Sequence, residues 1–152
     1  MPILSDRDKQ KVQSMLSGMI NPVKLVFFTQ TIGCETCAPT RQILDELVPL
    51  NEKLSVEEVN YVLDAERAAR YDVDHVPAIA MEGTGGASGA EAPGAKAARI
   101  RFYGIPSGYE FMSLLDAIML VSSGDPGLSE ASQARLATVD APVKIQVFVT
   151  PT

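Results

Sequence analysis

Cys34 and Cys37 are the only cysteines in the 152-residue chain, and their setting constrains the fold more than any other feature. They follow an apolar run, Val23 to Phe28, and precede a helix-like run, Arg41 to Leu50. A strand that ends at a cysteine opening a helix places the first thiol at a helix N-terminus. Free N–H groups and the helix dipole there favour thiolate over thiol. A second thiol one turn away can resolve the mixed disulfide that the first one forms. Cys34 is therefore the candidate nucleophile and Cys37 the candidate resolving thiol. The competing reading of an isolated CxxC is half of a zinc or cluster site. Such sites want four ligands, and His75 is the only other strong one in the chain.

Composition narrows the function classes. Hydrophobic residues make up 46% of the chain, enough for a packed core. The formal net charge of -6 favours solubility and argues against a nucleic-acid partner. No run of ~18 apolar residues occurs, so no membrane span is expected. Residues 1–19 are charged and amphipathic and lack the apolar region of a signal peptide. A reducing, cytoplasmic setting is the expectation. In that setting a CxxC is more often redox-catalytic or metal-binding than structural. The metal site is expected to be absent, and the redox-active Cys34–Cys37 disulfide stands in place of a cofactor.

Hydrophobic periodicity and turn residues divide the chain. Ser5 with Asp8 marks a helix start, and Val12, Leu16 and Met19 recur on one face before Asn21-Pro22 stops the helix. Val23 to Thr29 reads as a strand buried on both faces. Ile43, Leu44, Leu47 and Leu50 indicate a second helix, with Pro39 early enough to bend its first turn. Glu57, Val59, Tyr61 and Leu63 alternate as in a strand, and Ala65 to Tyr71 reads as a short helix. Pro77 to Met81 and Arg99 to Tyr103 read as strands joined by a mobile Gly/Ala loop, Gly83 to Ala97. Gly108 to Ser122 is a helix with Phe111, Leu114, Leu115 and Ile118 inward. Glu57, Glu58, Asp72 and Asp74 read as solvated faces.

The C-terminal segment repeats the beginning. Pro142-Val143-Lys144-Ile145-Gln146-Val147-Phe148-Val149-Thr150 echoes Pro22-Val23-Lys24-Leu25-Val26-Phe27-Phe28-Thr29, and Leu128-Ser129-Glu130 echoes Leu4-Ser5-Asp6. This is an internal repeat that has barely begun. It divides the chain into a CxxC unit, 1–125, and the opening of a second, truncated unit, 126–152. The apolar strand Val143 to Val149 then lacks its sheet. It is expected to pair with a second copy of the chain, giving a homodimer, or to lie against its own domain.

The order strand, CxxC, helix, strand, helix, Val76-Pro77 opening a hairpin, helix resembles the thioredoxin fold, an α/β fold with a central mixed sheet flanked by helices. The N-terminal helix and the turn Phe102-Tyr103-Gly104-Ile105-Pro106-Ser107-Gly108-Tyr109-Glu110-Phe111 resemble the glutaredoxin-like protein disulfide oxidoreductases, tandem proteins of two thioredoxin units. The resemblance covers about residues 3 to 152 apart from the Gly/Ala loop. The flavoproteins that serve peroxiredoxins carry a similar tandem domain and resemble the chain less well, because their first unit usually lacks the CxxC. The resemblance implies thiol–disulfide exchange on protein clients and a flavin-dependent, thioredoxin-reductase-like reductant. It implies a cis Val76-Pro77 bond, with Pro77 packed near the dithiol and the Val76 backbone open to an extended client. His75, two residues before Pro77, is placed to tune Cys34; its other reading is a solvated loop histidine. Glu35 sets a negative charge beside the thiolate and is expected to raise its pKa. Gly33 replaces the usual aromatic residue, Phe28 stands where thioredoxins keep a buried acid, and no Gly-Gly-x-Asp glutathione motif follows Tyr103. The alternatives are a docking half whose own CxxC is secondary to an active site in the other unit, and a metal-binding module.

Overall fold

The computed structural model describes residues 2–83 and 100–148. The elements run α1 (Asp6–Leu16), β1 (Val23–Thr29), α2 (Cys37–Leu47) with a 3-10 turn over Val48–Leu50, β2 (Leu54–Asn60), α3 (Ala65–Arg70), β3 (Ala78–Gly83), β4 (Arg101–Tyr103), α4 (Tyr109–Ser123) and α5 (Glu130–Leu136). The strands pair in the order β2-β1-β3-β4. β1 runs parallel to β2 and antiparallel to β3, and β4 is antiparallel to β3.

The apolar run in β1 is what a central strand needs. Val23, Leu25 and Phe27 point to one face and pack with Val12 and Leu16 of α1, Leu44 and Leu47 of α2, and Leu114, Leu115 and Ile118 of α4. Val26 and Phe28 point to the other face and pack with Ala68, Tyr71 and Val73 in and after α3. The sheet is therefore covered on both sides, as an α/β sheet must be. Each fully buried large side chain contributes roughly 1.5–3 kcal/mol.

Ser5 caps α1 as expected: its Oγ accepts from the Asp8 N–H at 3.2 Å, and its hydroxyl donates to the Asp8 carboxylate at 2.6 Å. The Glu46 carboxylate of α2 accepts from the N–H groups of Ile3 (2.7 Å) and Leu4 (3.0 Å) just ahead of this cap. The chain between α1 and β1 is knitted to α4 by Ser122, which is fully buried. Its Oγ accepts from the N–H groups of Ile20 and Asn21 and donates to the Asn21 carbonyl at 2.7 Å.

Pro39 lies within α2, which runs unbroken from Cys37 to Leu47. It stands in the first turn, where the missing N–H has no intrahelical partner to lose. The second strand begins earlier and ends at Asn60, and Leu63 is 84% exposed. Asn60 pairs with Thr29, the last residue of β1, so β2 stops where its partner stops. Gly83 belongs to β3, opposite Val23 at the start of β1. The remainder of the Gly/Ala loop, 84–97, lies outside the described residues, as does Arg99.

Past α4 the chain turns through Gly124 and Gly127, both left-handed (φ 69° and 65°), into α5. α5 has no buried residue. Residues 143–148 form no strand, and Val143, Ile145, Val147 and Phe148 are 70%, 82%, 79% and 88% exposed. The expectation that this segment lies against its own domain is not met. Val149 lies outside the described residues.

Candidate active site

The candidate site residues gather at one end of the sheet. β1 ends at Thr29 and the chain continues into the CxxC turn. Antiparallel register places Ala78 opposite Phe28, so the residues just before Ala78 run past the same end of β1. This brings 74–77 to the end of the sheet that carries the dithiol, and leaves Gly83 at the far end.

Cys34 and Cys37 are joined in a disulfide, with Cα atoms 5.4 Å apart. Cys34 is half-buried, whereas Cys37 is 4% exposed. α2 opens at Cys37, not at Cys34. Cys34 stands just ahead of the turn at residues 35–36 and is bonded to Cys37 at the helix start. Thr36 is the N-cap residue and makes no side-chain cap bond. Its carbonyl accepts from both the N–H (3.1 Å) and the hydroxyl (2.8 Å) of Thr40. The N–H groups of Cys37 and Ala38 thus have no acceptor within the helix, and Pro39 supplies none.

Gly33 has φ +75°, a left-handed conformation that L side chains rarely adopt. The turn geometry therefore explains the glycine. The Gln30 amide donates to the Ile32 carbonyl at 2.9 Å and holds the loop in shape. Ile32 is 88% exposed beside the dithiol, and Glu35 is exposed on the turn itself. Phe28 is fully buried against Tyr71, ring centroids 5.3 Å apart at 60°. β1 thus presents an aromatic ring at that position.

The Val76-Pro77 bond is cis. The Pro77 carbonyl accepts from the Gly104 N–H at 3.0 Å, tying the bend to the segment after β4. His75 is exposed on its loop, as in the solvated reading, and is also held in place. Its Nδ1 lies 2.6 Å from Asp74 Oδ1, and its ring stacks on Tyr103 with centroids 4.0 Å apart and 16° between planes. The bond to His75 holds the Asp74 carboxyl below the usual carboxylate range. Burial, with Asp74 nearby, pushes the Tyr103 phenol up. Tyr61 donates its hydroxyl to the Asp74 carbonyl at 2.8 Å.

The acidic residues expected on solvated faces are paired. Glu57 accepts a two-pronged bond from Arg67 (2.5 and 2.6 Å), with Lys24 at 3.2 Å, and its carboxyl is lowered to about 2, chiefly by Arg67. Glu58 pairs with Arg41, and Asp72 with Arg101 at 3.4 Å. Among the described residues, no three His, Cys, Asp or Glu side chains cluster in a way that could hold a metal. No helix is long and apolar enough to cross a membrane among them. Sequence reasoning does not find Ile32, Asp74 and Tyr103 as residues of this end. Ile32 is open to notice as an apolar residue beside the motif; the Tyr103 contact depends on strand pairing.

No protein-family model matches the chain, and no curated protein matches it. Solved structures do. The NTD_N/C domain of the alkylhydroperoxide reductase AhpF from Enterococcus faecalis matches with a TM-score of 0.73 at 20% identity, over 88% of this chain and 59% of that one. A mutant form of AhpF from the same organism matches with 0.74 at 21% identity, over 89% and 60%. A protein disulfide oxidoreductase from Aeropyrum pernix K1 matches with 0.70 at 24% identity, over 88% and 54%. The chain has the thioredoxin fold, and it spans a little over half the length of these structures. In fold it is as similar to the alkylhydroperoxide reductase as to the disulfide oxidoreductase.

Proposed function

We propose that the chain exchanges disulfides with protein clients, with Cys34 as nucleophile and Cys37 as resolving thiol. The observation that carries this is the disulfide between a half-exposed and a buried cysteine, at the mouth of α2 and the end of the sheet that bears cis Val76-Pro77. In the reducing direction the Cys34 thiolate attacks one sulfur of a client disulfide. The client S–S bond breaks, and its other sulfur leaves as a thiolate and takes a proton. Cys37 then gives up its proton and attacks Cys34 Sγ. The second client sulfur leaves, and the Cys34–Cys37 disulfide closes. The two electrons come from a dithiol or a flavin-dependent reductant of the thioredoxin-reductase kind. Burial of Cys37 keeps outside disulfides from reacting there first, so the order of attack is set by access.

An extended client segment can pair with the Val76 backbone by strand addition, and the exposed side chain of Ile32 offers it an apolar contact. With Cys37 changed to serine, the chain should trap a client as a mixed disulfide through Cys34. With Cys34 changed to serine it should trap none, and trapping by the second variant would reverse the roles.

A second reading makes this unit a docking half for an active site carried elsewhere; the exposed apolar face of 128–148 favours it. That face is also what would pair with a second copy. Sedimentation of the intact chain beside one ending at Asp140 distinguishes a dimer, lost on truncation, from a monomer in both.

A further inference from the structure

The loop from Asp72 to Val76 is pinned from two sides. Tyr61, just past β2, holds the Asp74 carbonyl at 2.8 Å, and Tyr103 of β4 reaches the Asp72 carbonyl at 3.4 Å while stacking on His75. Tyr103 stands opposite Ala78 in the sheet, so the platform under the imidazole is part of the rigid edge. Yet the His75 side chain remains 61% exposed. One nitrogen is bonded to Asp74 and one ring face is covered. The other nitrogen, Nε2, has no hydrogen-bond partner among the described residues. A histidine with no task on an open loop would not need a carboxylate, a stacked ring and two tyrosine hydroxyls to hold its segment.

We propose that His75 is a catalytic acid of the exchange: its Nε2–H protonates the client sulfur that leaves when Cys34 attacks. This rests on the disulfide-exchange reading above. The position fits the role, because sheet register brings His75 to the end that carries the dithiol, directly before cis Val76-Pro77. The step balances. The Cys34–S bond to the client forms, the client S–S bond breaks, and the departing sulfur takes the bond pair and then the Nε2 proton. His75 is left neutral with its remaining proton on Nδ1, donated to Asp74, and regains the lost proton from water. The charged and titratable groups that touch this ring are Asp74 and Tyr103, and those bonded to its loop are Tyr61 after β2 and Arg101 of β4. Asp72 is engaged with Arg101, which leaves Asp74 as the carboxylate in contact with the ring.

The test is single-turnover exchange by the pre-reduced chain and its His75→Gln variant against two disulfides. A peptide disulfide releases an alkyl thiolate with a thiol pKa of about 8.5, which gains from protonation. An aryl disulfide such as dithiobis(nitrobenzoate) releases a far more acidic thiol that does not. His75→Gln should slow the peptide reaction by roughly 10²-fold, the low end for general acid catalysis, and leave the aryl reaction nearly unchanged. The peptide rate of the unaltered chain should be bell-shaped in pH, rising with the Cys34 thiolate and falling as the imidazolium is lost. In the variant only the rising limb should remain. Equal slowing on both disulfides, no slowing on either, or a bell that persists in the variant would overturn the proposal. An unaltered chain that reacts with neither disulfide would instead overturn the exchange reading, and this role with it.

Discussion

The chain contains two versions of one local structure, and they differ almost only in what surrounds them. Ser5 and Ser129 both cap a helix through a hydroxyl that accepts from the N–H three residues on, at 3.2 Å in each case. Both helices end in the same turn: Met19 N–H bonds to the Leu16 carbonyl, and Val139 N–H to the Leu136 carbonyl. Both continue into Pro-Val-Lys. In the first version Leu16, Leu25, Phe27 and Phe28 are fully buried. Their counterparts Leu136, Ile145, Val147 and Phe148 are 58%, 82%, 79% and 88% exposed. The first version also has its carbonyls taken. Asn51 donates to the Leu16 carbonyl at 2.8 Å, and Lys53 to those of Met19 (2.9 Å) and Ile20 (3.1 Å). Among the described residues, no side chain answers the second version in this way. Caps and turns are thus written locally, whereas a strand exists only where another strand answers it.

The largest effect should separate two chemically identical residues. Phe28→Ala is expected to cost about 3–5 kcal/mol of unfolding free energy, and Phe148→Ala no more than about 0.5 kcal/mol. Urea unfolding of both variants checks this. Equal losses would mean that the second segment is buried in solution.

The caps come next. Ser5→Ala should lower global stability by about 1 kcal/mol, because α1 is part of the core. Ser129→Ala should leave global stability unchanged and only speed amide exchange within α5. A global loss from Ser129→Ala would couple α5 to the main domain and break the contrast.

These differences bear on what is legible in the sequence. The CxxC, the Ser5 cap and β1 are readable because each is encoded within a few residues. The end of β2 is not, because the alternation of Tyr61 and Leu63 continues past the point where β1 can pair. The surroundings of His75 are not either: Tyr103 lies far along the chain and reaches the ring only through β3–β4 register. Its place between strand and helix puts Cys34 at the helix N-terminus, whereas the structure opens α2 three residues later, at Cys37. The apolar tail reads as a strand because its composition matches β1, but composition does not supply a partner.

The smallest effect near neutrality appears only in acid. Glu46, which anchors Ile3 and Leu4, has its carboxyl lowered to about 2, and so does Glu57. Because the folded values lie below the ordinary value of 4.5, this stabilisation is present above that pH and is lost as pH falls towards 2. Glu46→Gln should flatten that acid limb. In the native chain α1 should loosen with acid, seen as faster amide exchange, while α5, which has no such anchor, should show no matching change in stability. An acid limb unchanged by Glu46→Gln would remove this anchor from the account.

The central claim is that exchange belongs to the first, covered version of the helix–strand unit and to Cys34 within it. The direct measurement is dithiol-driven reduction of insulin by the intact chain, by a chain ending at Asp125, and by Cys34→Ser in each. The account predicts equal rates per molecule for the first two and only the uncatalysed rate for both serine variants. Activity that survives Cys34→Ser, or an intact chain no faster than the dithiol alone, would contradict it.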